Sequence, residues 1–355
     1  MRAVTSDGLT IVIGSYLEEE HVRRITAAGA AGRVIYEPDL LPVPRYRCDH
    51  TGPRRDLSPA DLDRWRALGA EAEVYFDFDW LDPGQMPERS PQLRWIQATS
   101  AGIGGFMQRT GLDDAALNPA GLEVTTAAGV HAVPLAEFAL TGALYFVKGL
   151  PELRRRQQDR HWERYTTRPL SGLRALVVGL GGIGRQVAAT FAALGVEVWG
   201  LGRAGRAGRA YDVAGLSRAI ATDDLDEALP RTDIIVLACP LTEETQGLIG
   251  ARQLSLLPAD AILINISRGP VVDQAALTRA LQDGQLGGAC LDVFAEEPLP
   301  PGDPLWKLDN VIVSPHSAST VATENAALTD LFLDNLARLA AGQPLRNRYD
   351  PVRGY

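Results

Sequence analysis

Three residues stand where a reaction could be assembled. Arg268 in "AILINISRG", Glu297 in "LDVFAEEP" and His316 in "NVIVSPH" each follow a short apolar run of the kind that forms a buried strand. In open α/β sheets ligands bind beyond the carboxyl ends of the strands, so all three are expected to border one cleft. Their types suit reduction of a 2-keto acid. An arginine can anchor the carboxylate through paired hydrogen bonds, a histidine can give a proton to the carbonyl oxygen, and a carboxylate can orient the imidazole and favour its charged form. Singly, each has a plain alternative: a surface salt bridge, a core imidazole, a solvated acidic loop. Their joint placement at three strand ends carries the expectation.

A second motif supplies the partner for such chemistry. In "VVGLGGIGRQVA", Gly179, Gly181 and Gly184 form GxGxxG between an apolar strand and a helix. The first glycine allows the tight turn, the second lets backbone approach a pyrophosphate, and the third lets helix and strand pack closely, while the helix N-terminus offers N–H groups to phosphate. A dinucleotide site follows from that context. The next strand, "VEVWGLG", should end in an acidic residue for the adenosine ribose, yet it ends Gly202-Arg203. Without a carboxylate nothing repels a 2′-phosphate, and Arg203, with Arg206 and Arg209 close by, can bind one. NADP is therefore expected as the preferred cofactor, with NAD as the alternative.

The elements that must position these groups come in two α/β series. In the first, candidate strands are Leu9–Gly14, Arg33–Tyr36, Ala72–Phe78, Leu93–Ala98 and Leu122–Thr126, with a helix over Glu18–Ala30 and another capped near Ser58. The Pro- and Arg-rich stretch 37–59 between them reads as a long loop, and its Arg45 and Tyr46, with Trp80, are candidates to line a substrate cleft. A long apolar helix begins at Ala132 and leads into "RRRQQDRHWERYTTR", a solvated helix face and loop. Six near-continuous apolar strands follow, from "LRALVVGL" to "NVIVSPH", the pattern of a parallel sheet covered on both faces. The run after His316 is a final helix, with Ser319 or Thr320 as its cap, returning to the first domain.

The bounds agree. The chain has 355 residues, 46% hydrophobic and 22% charged, enough for two globular domains. A net charge of -9 argues against nucleic acid as a partner. The cysteines, Cys48, Cys239 and Cys290, lie far apart and fit a reducing compartment, and with no clustered ligands among the remaining histidines no metal is expected. No apolar run approaches membrane-spanning length and no secretory segment follows Met1, so the expectation is a cytoplasmic protein without a membrane partner.

From about Leu93 to the final helix the chain resembles the D-isomer-specific 2-hydroxyacid dehydrogenases, which include glyoxylate and hydroxypyruvate reductases. The resemblance rests on "SAGIGG", "VVGLGGIG", "ACPLTEET", "INISRGPVVD", "LDVFAEEP" and "SPHSAS", in the family's order. It implies an α/β protein of two doubly wound domains: a Rossmann NAD(P)-binding domain over 126–317, and a discontinuous flavodoxin-like substrate domain over 1–125 completed by 318–355. It implies Arg268, Glu297 and His316 as the catalytic set. Backbone at Ala101, Gly102 and Ile103 would help hold the carboxylate of a small anionic 2-keto or 2-hydroxy acid, together with Arg268 and His316. Cofactor contacts would come from Gly179, Gly181, Gly182, Ile183, Gly184, Gly202, Arg203, Arg206, Cys239, Pro240, Thr245, Ile266, Ser267 and His316, with Asp292 near the nicotinamide carboxamide. It further implies a homodimer formed largely through 132–168. Formate dehydrogenases of this architecture pair the histidine with Gln, whereas Glu297 stands here. Phosphite dehydrogenases and dinucleotide-sensing corepressors keep the triad and remain alternatives.

Overall fold

The computed structural model describes residues 8–112, 121–202, 213–352 and 354. The chain divides into two compact units, Met1–His131 with Thr320–Tyr355, and Ala132–Ser319.

The first unit is built on a parallel sheet in the order β2-β1-β3-β4-β5. Its strands are β1 (Leu9–Ile13), β2 (Ala31–Ile35), β3 (Val74–Phe76), β4 (Trp95–Gln97) and β5 (Glu123–Thr125). This is the flavodoxin-like order. Side chains alternate along each strand, so in β3 Val74 and Phe76 enter one apolar layer and Tyr75 the other. The layer under Val74 and Phe76 is closed by the helix Glu324–Ala340, whose Phe332 stacks on Trp95 at 4.8 Å between ring centroids. The chain then runs antiparallel beside β5, pairing Arg348 with Thr125. Ser58 caps the helix Pro59–Ala70 in a reciprocal capping box with Asp61, the arrangement expected at that position. The final helix differs from expectation: it starts at Glu324 after Thr323, with no side-chain cap bond, rather than at Ser319 or Thr320. His131 and Glu324 meet there, buried, at 3.2 Å.

The second unit holds a parallel sheet in the order β12-β11-β10-β9-β6-β7-β8. Its strands are β6 (Arg174–Val178), β7 (Glu197–Leu201), β8 (Leu216–Ile220), β9 (Ile234–Leu237), β10 (Ile262–Asn265), β11 (Gly288–Leu291) and β12 (Val311–Val313). The order is that of a dinucleotide-binding sheet with one added edge strand, and its direction reverses between β6 and β9. Ala175 and Val177 point into one buried layer, Leu176 and Val178 into the other, which explains why these strands read as unbroken apolar runs. The helix Ala132–Val147 lies against the sheet, and Gly142 permits the approach: a Cβ there would fall 2.7 Å from Sγ of Cys290. β8 had no counterpart among the six expected strands. It is an edge strand with Ser217 and Arg218 exposed, so the apolar signal of a buried strand is missing. Among the described residues no single helix is long and apolar enough to cross a membrane.

Candidate active site

The glycine turn sits at the reversal point of the second sheet. Gly179 follows β6 with φ +95°, a conformation that favours glycine, and a Cβ on it would lie 2.7 Å from the backbone of Cys239 after β9. Gly184 passes so close to the carbonyl of Gly179 that a Cβ would overlap it. At Gly181 the situation is opposite, because a Cβ would meet nothing within 4 Å. Gly181 and Gly182 are exposed at the start of the helix Gly182–Ala193, whose first turn carries no acidic residue and no side-chain cap. The turn is thus sterically closed at its ends and open at its middle, at a helix start whose first N–H groups have no intrahelical acceptor, which fits a pyrophosphate. Gly202 follows β7, its carbonyl accepting from the Thr222 hydroxyl, and no carboxylate stands at that position. Arg203, Arg206 and Arg209 lie outside the described residues.

Arg268 is held by a turn after β10. Asn265, 1% exposed, accepts from the N–H and hydroxyl of Ser267 at Oδ1 and donates through Nδ2 to the carbonyl of Arg268 at 3.2 Å. The guanidinium donates to the Ser267 carbonyl at 2.7 Å. Burial pulls its proton affinity below the ordinary arginine value, against the opposing pull of Glu297 and Asp292. An arginine does not lose its charge on that account, so the site keeps a fixed cation.

His316 and Glu297 meet across two strand ends. Nδ1 of His316 is 2.8 Å from Oε2 of Glu297, while Oε1 accepts the Phe294 N–H at 2.9 Å. The bond to Glu297 raises the proton affinity of His316, outweighing burial and the charge of Arg268. For Glu297, burial works to raise the carboxyl, but hydrogen bonds from His316 and Phe294 and the nearby positive charges hold it below its ordinary value. With Nδ1 engaged, Nε2 is the ring atom left to exchange a proton with a ligand. The His316 side chain is 46% exposed, so it is reachable.

The backbone at His316 is left-handed, φ +54°, a conformation costing about 1–2 kcal/mol for such a residue. Asp292, 2% exposed at the end of β11, holds it there. Its carbonyl accepts the His316 N–H at 2.9 Å, and its Oδ1 accepts from the Ser314 hydroxyl at 2.6 Å and from the N–H groups of Ser317 and Ala318 at 2.9 Å. Hydrogen bonds to a charged acceptor contribute about 1.5–3 kcal/mol each, so the strain is outweighed. This anchoring of the histidine loop has no signature in spacing or periodicity.

The remaining expected positions divide. Ile266 and Ser267 are buried beside Asn265 at the end of β10. Cys239 is buried and its thiol is pushed up to about 11, so it stays protonated beside the glycine turn, with Pro240 exposed next to it. The Thr245 hydroxyl donates to the Pro240 carbonyl at 2.6 Å and accepts the Thr242 N–H, closing that loop on itself. Ala101, Gly102 and Ile103 belong to the first unit, between β4 and the helix Gly104–Thr110. There, too, Arg45 is paired with buried Asp49, Tyr46 is exposed, and Trp80 packs against Trp65 under Arg54.

Residues 140–318 match the model of the D-isomer specific 2-hydroxyacid dehydrogenase NAD binding domain. A glyoxylate reductase of Thermofilum pendens is 34% identical over 321 residues, covering 88% of this chain and 91% of its own. A glyoxylate/hydroxypyruvate reductase of Arabidopsis thaliana is 32% identical over 283 residues, covering 79% and 82%. A solved D-isomer specific 2-hydroxyacid dehydrogenase from Xanthobacter autotrophicus, in complex with NADPH and MES, matches with TM-score 0.75 at 30% identity, over 98% of this chain and all of that one. The chain belongs to the D-isomer specific 2-hydroxyacid dehydrogenase family. It is an NAD(P)-dependent dehydrogenase acting on small 2-keto or 2-hydroxy acids.

Proposed function

We propose that this enzyme reduces glyoxylate or hydroxypyruvate to the D-2-hydroxy acid with NADPH as preferred cofactor, and catalyses the reverse oxidation. The observation that carries the reading is the 2.8 Å contact of His316 with Glu297, at strand ends shared with the half-buried Arg268. When bound, the nicotinamide supplies the hydride. Arg268 holds the substrate carboxylate, and the backbone N–H groups at Ala101, Gly102 and Ile103 assist. His316, charged through its bond to Glu297, gives the proton from Nε2 to the carbonyl oxygen, a step worth ~10²–10⁴-fold when the acid is positioned. In oxidation the same nitrogen takes the hydroxyl proton. Glu297 stays ionised throughout and fixes the ring. Names of similar enzymes support the choice of glyoxylate and hydroxypyruvate.

Gly179, Gly181, Gly182, Ile183 and Gly184 would hold the pyrophosphate of the cofactor, and Cys239, Pro240, Thr245, Ile266, Ser267 and Asp292 would contact the rest of it. Arg203 and Arg206 would supply the charge for a 2′-phosphate. The protein forms a homodimer through 132–168, where Leu150, Leu153, Tyr165 and the 98% exposed Trp162 present apolar surface. Mixing the purified protein with NADPH and each keto acid, and following cofactor absorbance, tests the activity. No oxidation of NADPH or NADH by either acid would reject it.

A further inference from the structure

Glu297 sits in a segment that has little else to hold it. Phe294 and Leu299 are buried, but the four residues between them, Ala295 to Pro298, are exposed. A carboxylate on such a loop cannot fix an imidazole unless the loop is itself fixed. Besides His316, which meets the Glu297 carboxylate itself, a side chain from elsewhere reaches the backbone of this loop. Gln274, the first residue of the helix Gln274–Gln282, accepts the Ala295 N–H at Oε1, 2.8 Å, and donates through Nε2 to Oδ2 of Asp303 at 3.0 Å. Asp303 is anchored in turn, its Oδ1 capping the short helix Pro304–Lys307 through the Leu305 N–H at 2.9 Å.

The other end of this bridge leads to Arg268. Only the turn 269–273 separates Arg268 from Gln274, and Asp273 caps the helix by accepting the Ala276 N–H at 2.9 Å. Within that turn Gly269 lies so close to Phe294 that a Cβ would overlap the Phe294 carbonyl group. The arginine segment and the carboxylate segment are therefore pressed together at Gly269 and pinned at Gln274.

We propose that Gln274 is a positioning residue: it locks the loop bearing Glu297 to the helix start that follows Arg268, and so sets the Glu297–His316 contact. The inference rests on the proposed roles of Glu297 and His316, but its test does not depend on turnover. Gln274→Met keeps the volume and removes both hydrogen bonds. The pair Gln274→Glu with Asp303→Asn rebuilds the bridge with the polarity exchanged and no change of net charge: one oxygen of the new carboxylate accepts the Ala295 N–H, and the new amide donates to the other.

The experiment is an NMR titration of the His316 ring in the full-length protein, for the unmodified enzyme, Gln274→Met, the exchanged pair and Glu297→Gln. Glu297, Asp292 and Arg268 are the charged groups around that ring and are unchanged in the two bridge variants. In Gln274→Met the midpoint is expected to fall in the same direction as in Glu297→Gln but by less, with kcat lowered about fivefold, the size of one ordinary hydrogen bond. The exchanged pair is expected to return both to the starting values. An unmoved midpoint in Gln274→Met overturns the proposal, and so does a shift that the exchange fails to reverse. If the midpoints follow the expected order while no keto acid is reduced, the positioning role stands and the assigned reaction falls.

Discussion

Nδ1 of His316 lies 2.8 Å from Oε2 of Glu297, and each group shifts the other toward its charged form. With His316 as the proposed proton donor, reduction would require the protonated ring. Its rate is therefore full below the raised pKa of His316 and falls as pH climbs through it. Oxidation requires the neutral ring and rises over the same range. Glu297→Gln removes the negative partner, so both limbs are expected to move to lower pH. Profiles of kcat/KM against pH in the two directions check this, and limbs that stay in place would show that the pair is not what titrates.

The glycine turn separates folding from binding. Gly181→Ala adds a methyl group to open space at an N-cap, where it costs at most about 1 kcal/mol, so the melting temperature without cofactor should barely change. The stabilisation normally given by NADPH should nevertheless shrink, because the methyl group occupies the approach to the pyrophosphate. Gly184→Ala drives a methyl group into the Gly179 carbonyl, and overpacking of this kind costs about 1–3 kcal/mol, lowering the melting temperature by several degrees with or without cofactor. Thermal melts of both variants with and without NADPH distinguish the two. An equal loss in both would mean that the middle glycine serves packing alone.

Just after β7, Gly202 carries no carboxylate to repel a 2′-phosphate, and one arginine bonded to such a phosphate would be worth about 1.5–3 kcal/mol, or ten- to hundredfold. NADPH is expected to outperform NADH in kcat/KM. Arg203→Ala should erode the difference mainly through the KM for NADPH, and Gly202→Asp should reverse it. Equal efficiency of the two cofactors in the unmodified enzyme would leave the missing acid with no phosphate to serve.

Much of this was legible in the residues, for identifiable reasons. Strands buried on both faces announce themselves as apolar runs, so β6, β7, β9, β10 and β11 could be placed by counting, and the half-buried edge strand β12 is legible because Val311, Ile312 and Val313 are all apolar. Gly179 and Gly184 carry a steric demand that only glycine meets. What could not be read depends on contacts between segments far apart in the chain. β8 is half exposed and lacks the apolar run. The start of the last helix at Glu324 is set by packing against the first sheet, since no cap bond marks it. The anchoring by Asp292 of the turn that bears His316 arises from strand ends that become neighbours only when β11 and β12 pair. The Gln274 bridge to Ala295 spans two segments in the same way.

Proton transfer by His316 is read out by single-turnover kinetics. Enzyme saturated with NADPH is mixed with glyoxylate, and with hydroxypyruvate, for the unmodified protein and for His316→Ala, while NADPH affinity is measured separately by fluorescence. The rate of NADPH consumption is expected to fall by ~10²–10⁴-fold in the variant while affinity for NADPH changes little. Consumption at the same rate in both proteins would contradict it.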